Sequence, residues 1–382
     1  MRAQRRILGA QSCAVDARDA VREFHADVAQ PDTSLVVFFC SVDYDLGDLA
    51  SEMNRQFDGV RVVGCTTAGE VGPAGYRDRS LVGASFPAGE FTATTGRLDE
   101  LRHFEFTQAS DLVHDLRHRL EQVAAQADST NTFALLLIDG LCLREEPVTH
   151  ALQAALGDVP LVGGSAGDGL SFGVTHVFSE GEFRSDCAAL TLVTTPVPFR
   201  TFKAQHFVPT EDRVVVTSAD AEHRIIKQID GLPAAEEYAK LVAKSGGSLD
   251  PLSFASKPMV VMLAGTSYVR SIQRANPDGS LTLYCAIEEG VVLRVARGVD
   301  LVENLQQTFD RITADIGRPQ AVIGADCVLR KLEILQCGLA GRVEAILRNN
   351  HFVGFNSYGE QFGGTHVNQT FTGIAIAEPT HA

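Results

Sequence analysis

Three apolar runs punctuate the chain: Leu35–Cys40, Ala134–Ile138 and Ala321–Ala325. Each has strand length and no polar face, the pattern of a strand covered on both sides. Each is followed by a stretch that can hold a helix, then by a short apolar strand running into glycine. The strand ends are Val62-Val63-Gly64-Cys65-Thr66-Thr67-Ala68-Gly69-Glu70, Leu161-Val162-Gly163-Gly164-Ser165-Ala166-Gly167-Asp168 and Phe352-Val353-Gly354-Phe355-Asn356-Ser357-Tyr358-Gly359-Glu360. Further strands are predicted at Leu81–Phe86, Ala188–Val193 and Phe371–Ala377. The first and third copies share one spacing, with Glu directly after the second glycine. The middle copy is one residue shorter and puts Asp168 in that place. Self-similarity of this kind points to one supersecondary unit used three times.

Between the units, Ser110–Ala127 has apolar positions at helical spacing. Asp230-Gly231-Leu232-Pro233 is a turn feeding a helix from about Ala234 to Lys244. Ser245-Gly246-Gly247-Ser248 ends that helix. Ala275–Ser280, with Asn-Pro-Asp-Gly at its centre, predicts a hairpin turn. The fold class that follows is α/β, with internally repeated strand–helix–strand units forming mixed sheets in two domains. Residues 1–30 are expected to form an N-terminal helical segment. Residues 31–225 carry two units and 226–382 the third.

Charge narrows the function. The net charge of -15 repels phosphate backbones and anionic lipid, so no nucleic-acid or membrane-surface partner is expected. No segment reaches the roughly 18 apolar residues that span a bilayer, and no secretory h-region follows Met1. The eight cysteines form no C-x-x-C and mostly sit in apolar runs. That suits a reducing, cytoplasmic setting without a disulfide framework.

Candidate chemistry gathers at the glycine turns. Glycine lets backbone N–H groups cluster around a ligand, which marks Gly69, Glu70, Gly163, Gly164, Asp168, Tyr358, Gly359 and Glu360 as ligand-site candidates. The turns match neither G-x-G-x-x-G nor a Walker loop. Glu70, Asp168 and Glu360 could converge as acid–base groups or cap nearby N–H groups. No G-x-S-x-G elbow is present, and Cys65 suits a buried thiol better than a nucleophile. No compact histidine metal motif occurs. His206 stands with Phe202, Phe207 and Val208, just before Pro209, in the composition of an imidazole against an apolar wall; such a histidine is commonly just packed or hydrogen-bonded, and a neutral imidazole there can also ligate haem iron. His25, His176, His351 and His366 are weaker candidates. No catalytic set emerges, and a non-enzymatic role is expected.

The strand-end segments, with Ser185-Asp186-Cys187-Ala188-Ala189-Leu190 and Gln228-Ile229-Asp230-Gly231-Leu232-Pro233-Ala234-Ala235-Glu236-Glu237-Tyr238, resemble those of FIST-domain proteins. Within that family, Phe202–Thr210 and Gly363–Gly373 are most similar to haem-binding nitric-oxide-sensing proteins of the NosP type. The resemblance implies a FIST N domain over 31–225 and a FIST C domain over 226–382. It also implies haem b held non-covalently, with nitric oxide as the ligand of ferrous iron and His206 as the axial ligand. Output would pass to a partner histidine kinase or to a diguanylate cyclase or phosphodiesterase of cyclic-di-GMP and biofilm signalling, and a homodimer is allowed. The alternative is a FIST-type sensor of another small metabolite, such as an amino acid, without haem.

Overall fold

The computed structural model describes residues 6–243, 249, 251–263 and 265–379. The first unit runs β1 (Leu8–Ser12), α1 (Ala17–Val28), β2 (Thr33–Cys40), α2 (Leu46–Gln56), β3 (Arg61–Thr66), β4 (Glu70–Gly72), β5 (Gly75–Arg77) and β6 (Leu81–Pro87). The second repeats that order as β7 (Thr92–Leu98), α3 (Phe106–Val123), β8 (Thr132–Ile138), α4 (Glu145–Leu156), β9 (Leu161–Ser165), β10 (Val177–Ser179), β11 (Glu182–Arg184) and β12 (Ala188–Thr194).

The third unit opens with β13 (Phe199–Ala204) and is then interrupted. The insertion comprises β14 (Phe207–Asp220), β15 (Ile225–Ile229), β16 (Leu232–Pro233), α5 (Ala234–Ala243), α6 (Pro251–Ser256), β17 (Met259–Leu263), β18 (Thr266–Arg270), β19 (Ile272–Ala275), β20 (Leu281–Leu283) and β21 (Val292–Gly298). The unit resumes with α7 (Leu301–Ile316), β22 (Pro319–Cys327), α8 (Val328–Gln336), α9 (Ala340–Asn349), β23 (Phe352–Ser357), β24 (Glu360–Phe362), β25 (Thr365–Val367) and β26 (Phe371–Ala377).

Each unit builds a mixed four-stranded sheet, and each sheet is completed by a hairpin from a different unit. The orders are β1-β6-β2-β3-β10-β11, β7-β12-β8-β9-β24-β25 and β13-β26-β22-β23-β4-β5. The first unit thus lends its hairpin to the third, the second to the first, and the third to the second. The ring of exchanges closes. The central pairs β2–β3, β8–β9 and β22–β23 are parallel, and their other neighbours run antiparallel.

The continuous apolar runs have a direct cause. Alternate residues of a strand point to opposite faces. Leu35, Val37 and Phe39 enter a core shared by all three units, where Leu135, Leu137, Ile323 and Ala325 also lie. Val36, Phe38 and Cys40 face α1 and α2 instead. Ala134, Leu136 and Ile138 face α3 and α4. A strand buried on both faces has no polar side to show. Phe39 stacks on Phe355 at 4.4 Å between ring centroids, joining the first and third units across the shared core.

The expected elements largely match, and the boundaries differ instructively. The helix expected at Ser110–Ala127 runs Phe106–Val123. The turn at Ala275–Ser280 joins β19 to β20. Ser245–Ser248 and the end of the preceding helix at Lys244 lie outside the described residues. Of the N-terminal segment expected to be helical over 1–30, the part described from Arg6 onward holds α1 but also β1, which pairs along its length with β6 inside the first sheet. At the expected 225/226 boundary β14 pairs directly with β15, so that point lies within the insertion's sheet. The insertion carries its own core around Tyr238, Phe254 and Leu293.

Candidate functional site

The glycine turns meet one another at the strand ends. Ala68 N–H donates to the Asn356 carbonyl at 2.9 Å, Gly167 N–H to Thr66 at 3.0 Å, and Ser165 N–H to Gly359 at 2.8 Å. Each turn is therefore hydrogen-bonded to both others. Gly64, Gly163 and Gly354 occupy equivalent places, where a Cβ would lie 2.5, 2.1 and 2.1 Å from a carbonyl oxygen of the adjacent parallel strand. These glycines serve close approach of backbones. Gly69 differs: its φ of +133° is a glycine conformation, and a Cβ would collide with the Lys331 ammonium.

Glu70 and Glu360 are buried twins. Glu70 accepts from the Thr67 hydroxyl at 2.5 Å and from Ser80 N–H and Oγ–H at 3.0 and 2.9 Å. Glu360 accepts from the Ser357 hydroxyl at 2.5 Å and from Thr370 N–H and Oγ1–H at 3.1 and 2.6 Å. Burial pushes the carboxyls up to about 7 for Glu70 and about 8 for Glu360, against the lowering by these hydrogen bonds. Each is held by the hydroxyls of its own unit, and no hydrogen bond links the two.

Asp168 is not their counterpart, which corrects the sequence reading. Glu70 pairs with Phe355 and Glu360 with Gly164, and at the corresponding place Val177 pairs with Cys65. Val177 lies fourteen positions after Gly163, where Glu70 lies six after Gly64. The second unit has gained a loop there. Asp168 organises it by accepting from Phe172, Gly173 and Val174 N–H at 2.9, 2.7 and 2.9 Å and from the Tyr358 hydroxyl. Phe172 adopts φ +52°, strained for a bulky side chain. Its ring lies 4.9 Å from Tyr358 and 5.8 Å from Tyr284 of the insertion. Of this aromatic trio the sequence had marked only Tyr358; the remaining signal was the extra length before Val177.

His206 is fully buried where β13 hands over to the insertion. Arg330 Nη1–H donates to its Nδ1 at 3.0 Å, and its Nε2–H donates to Glu333 at 2.9 Å. Arg330 is in turn held by Asp326 at 2.7 Å, and Tyr76 of the β4–β5 hairpin donates to Asp326 at 2.9 Å. Burial lowers the imidazole pKa, keeping it neutral. Phe207 packs at 4.0 Å from the imidazole, Phe202 packs on Phe371, and Pro209 pairs with Ala296 inside the sheet. An iron ligand needs a free ring nitrogen facing open space. Both nitrogens of His206 are engaged, and among the described residues it does not line the four surface cavities of about 400, 230, 540 and 390 Å³. In this arrangement His206 and its neighbours do not fit a haem. Among the described residues, no group of three or more His, Cys, Asp and Glu is placed to hold a metal ion. Burial raises the Cys65 thiol, so it is no activated nucleophile.

A second polar centre lies where the insertion meets α4 and the β24–β25 hairpin. Arg224 is buried and donates to Glu145 and Glu146, each at 2.5 Å, and to the Tyr284 carbonyl at 2.8 Å. Ala286 N–H donates to Glu146 at 2.7 Å. Gln361 Nε2–H donates to His366 Nδ1 at 3.1 Å, which places the imidazole proton on Nε2. Burial depresses the His366 pKa. A Cβ on Gly359 would sit 2.6 Å from His366 Nε2 and 2.9 Å from Asn368 Nδ2, so these three residues close on one point. No described protein group satisfies His366 Nε2, Gln361 Oε1 or Asn368 Oδ1, although all three side chains are buried. Native interiors leave few such atoms unpaired. Of these residues, the sequence had marked only His366.

The fold and the linked turns coincide with a known family. The FIST N domain model matches residues 34–232 and the FIST C domain model residues 234–363, and the chain belongs to the FIST family. FIST domains are sensory domains of signalling proteins. The uncharacterized protein MJ1623 of Methanocaldococcus jannaschii is 21% identical over 389 residues, covering 89% of this chain and 73% of that protein. Among solved structures, a cyanuric acid hydrolase aligns over 98% of this chain and 100% of its own, at 11% identity and a TM-score of 0.37. The cyanuric acid hydrolase of A. caulinodans aligns over 98% and 99%, at 10% and 0.35. Similarity that low carries no inference about activity. Among the described residues, no helix is long and apolar enough to cross a membrane.

Proposed function

We propose that the chain is a sensory module that binds a small amine-bearing metabolite, such as an amino acid, at the centre formed by Gln361, His366, Asn368 and α4. The observation that carries this reading is the set of buried, unpartnered side-chain atoms there. Gln361 Oε1 and Asn368 Oδ1 are both acceptors, so the chemistry they lack is a donor. Glu145 and Glu146 pair with Arg224, and Arg270 also acts on His366, so the two free amide acceptors favour the hydrogen-bond donors of an amine. His366 Nε2–H can meet an acceptor on the same ligand. Binding would couple the insertion to the three-unit core, and a difference in affinity between two arrangements of these parts is what can signal. A histidine kinase or a cyclic-di-GMP enzyme is the partner class the family resemblance suggests. The role is binding rather than catalysis, since Glu70 and Glu360 are both engaged by hydroxyls.

Calorimetric titration with the common amino acids and biogenic amines tests the reading. One or a few should bind saturably, with loss in Glu146→Gln and in His366→Ala. A panel without a binder sinks it. The haem and nitric-oxide reading has its own test in the same preparation supplied with haem. A stoichiometric Soret band that shifts with NO and disappears in His206→Ala would replace the metabolite with haem b and require the Arg330–His206–Glu333 chain to open.

A further inference from the structure

A cleft of about 390 Å³ lies between β13, α7 and the β24–β25 hairpin. Its volume falls in the range of small-molecule sites. Arg200, Lys203 and Arg311 line it, with Asp315 as the opposing carboxylate and Phe202 and Phe362 as apolar surface. Three cations against one carboxylate is unusual on a chain of net charge -15.

Lys203 is the informative residue. It is half-buried, and its ammonium lies 4.9 Å from the centroid of Tyr268 in the insertion and 5.9 Å from that of Phe362. Among the described residues neither Lys203 nor Arg311 forms an ion pair, and Arg200 reaches Asp315 at 3.4 Å. The Arg311 guanidinium donates only to neutral oxygens, the Gln307 carbonyl at 3.2 Å and Thr308 Oγ1 at 3.2 Å. Burial lowers the Lys203 pKa, as expected for an ammonium held without a counter-charge. Cation–π contacts steady it but do not neutralise it. Two unpaired cations beside the partly buried rings of Phe362 and Tyr268 select for a negative head group on a flat apolar body.

We propose that this cleft is a binding site for an anion with a flat apolar body, an aromatic carboxylate or organic phosphate, whose acid group meets Lys203, Arg200 and Arg311. Its body lies along Phe362. The site is separate from the Gln361–His366–Asn368 centre and does not rest on that reading. It touches the third unit's first strand, the hairpin it lends to the second unit, and the insertion through Tyr268.

Calorimetric titration of the full chain with phenyl phosphate, inorganic phosphate and benzylamine tests the proposal. Phenyl phosphate should bind saturably at one site, about tenfold or more weaker in Lys203→Met and within about threefold of wild type in Lys203→Arg. Arg311→Gln, on an exposed helix face, should also weaken it, and benzylamine should not compete. Absence of saturable phenyl phosphate binding overturns the proposal, as does equal binding by wild type and Lys203→Met. Inorganic phosphate binding as tightly as phenyl phosphate would overturn the role of the aromatic surface.

Discussion

Glu70 and Glu360 stand at one place in two different units, each ten residues before the hydroxyl residue, Ser80 or Thr370, that grips its carboxyl. Burial raises both, to about 7 and about 8, from 4.5 in the unfolded chain. A group with a raised folded pKa contributes stability that is complete below its unfolded pKa and lost as pH rises through the folded one. Stability should therefore fall between pH 5 and 8 and level off above. Glu360→Gln should flatten the upper part of that slope, an effect on the order of a few kcal/mol across the window. Urea midpoints at pH 5, 6.5 and 8.5 measure it, and an unchanged slope in the variant would refute the assignment.

Gly163→Ala should be among the most damaging single-methyl additions in the chain. Its Cβ would lie 2.1 Å from the Leu136 carbonyl oxygen, in a sheet with no room to shift. A loss of about 4 kcal/mol or more, or failure to fold, is expected. Gly341→Ala is the control. It lies in α9 with open space around it, and helix propensity should stabilise it by up to about 1 kcal/mol.

Arg224→Met leaves Glu145 and Glu146 without their shared counter-charge. Breaking a buried pair from one side costs roughly 3–5 kcal/mol. Adding Glu145→Gln to that variant should recover part of the loss, and a thermal-melt double-mutant cycle reads the difference. Full additivity would mean the contact contributes nothing.

His206→Ala removes the link between Arg330 and Glu333 and leaves a buried guanidinium nitrogen unpaired. About 2–3 kcal/mol of destabilisation follows from the lost hydrogen bonds and the cavity. His206→Gln, which can still accept from Arg330 and donate to Glu333, should recover much of it in denaturant titrations.

The repeat was legible because strand burial on both faces writes itself as an unbroken apolar run, and because Gly64, Gly163 and Gly354 answer one local steric demand. The twin glutamates were legible from their spacing. Asp168 misled because a glycine followed by a carboxylate has two structural meanings: a strand start in the first and third units, and a loop organiser in the second. The hairpin exchange left no local trace, since each β-hairpin has the same sequence signature whichever sheet it joins. Arg224 and its carboxylates were equally silent. They come together across the insertion, and nothing in the spacing of residues 145, 146 and 224 announces it.

The closed ring of lent hairpins bears on how the chain comes to fold during synthesis. The first unit's sheet stays incomplete until residues 177–184 emerge, and its own β4–β5 hairpin has no sheet to join until residues 352–357 do. One open sheet edge, at β9, and one orphan hairpin must wait for the carboxyl-terminal third of the polypeptide. A nascent or truncated chain ending near residue 232 would carry a β9 open along its outer edge and an orphan hairpin, a ready template for joining a second copy. The family's two named halves are thus obligate companions.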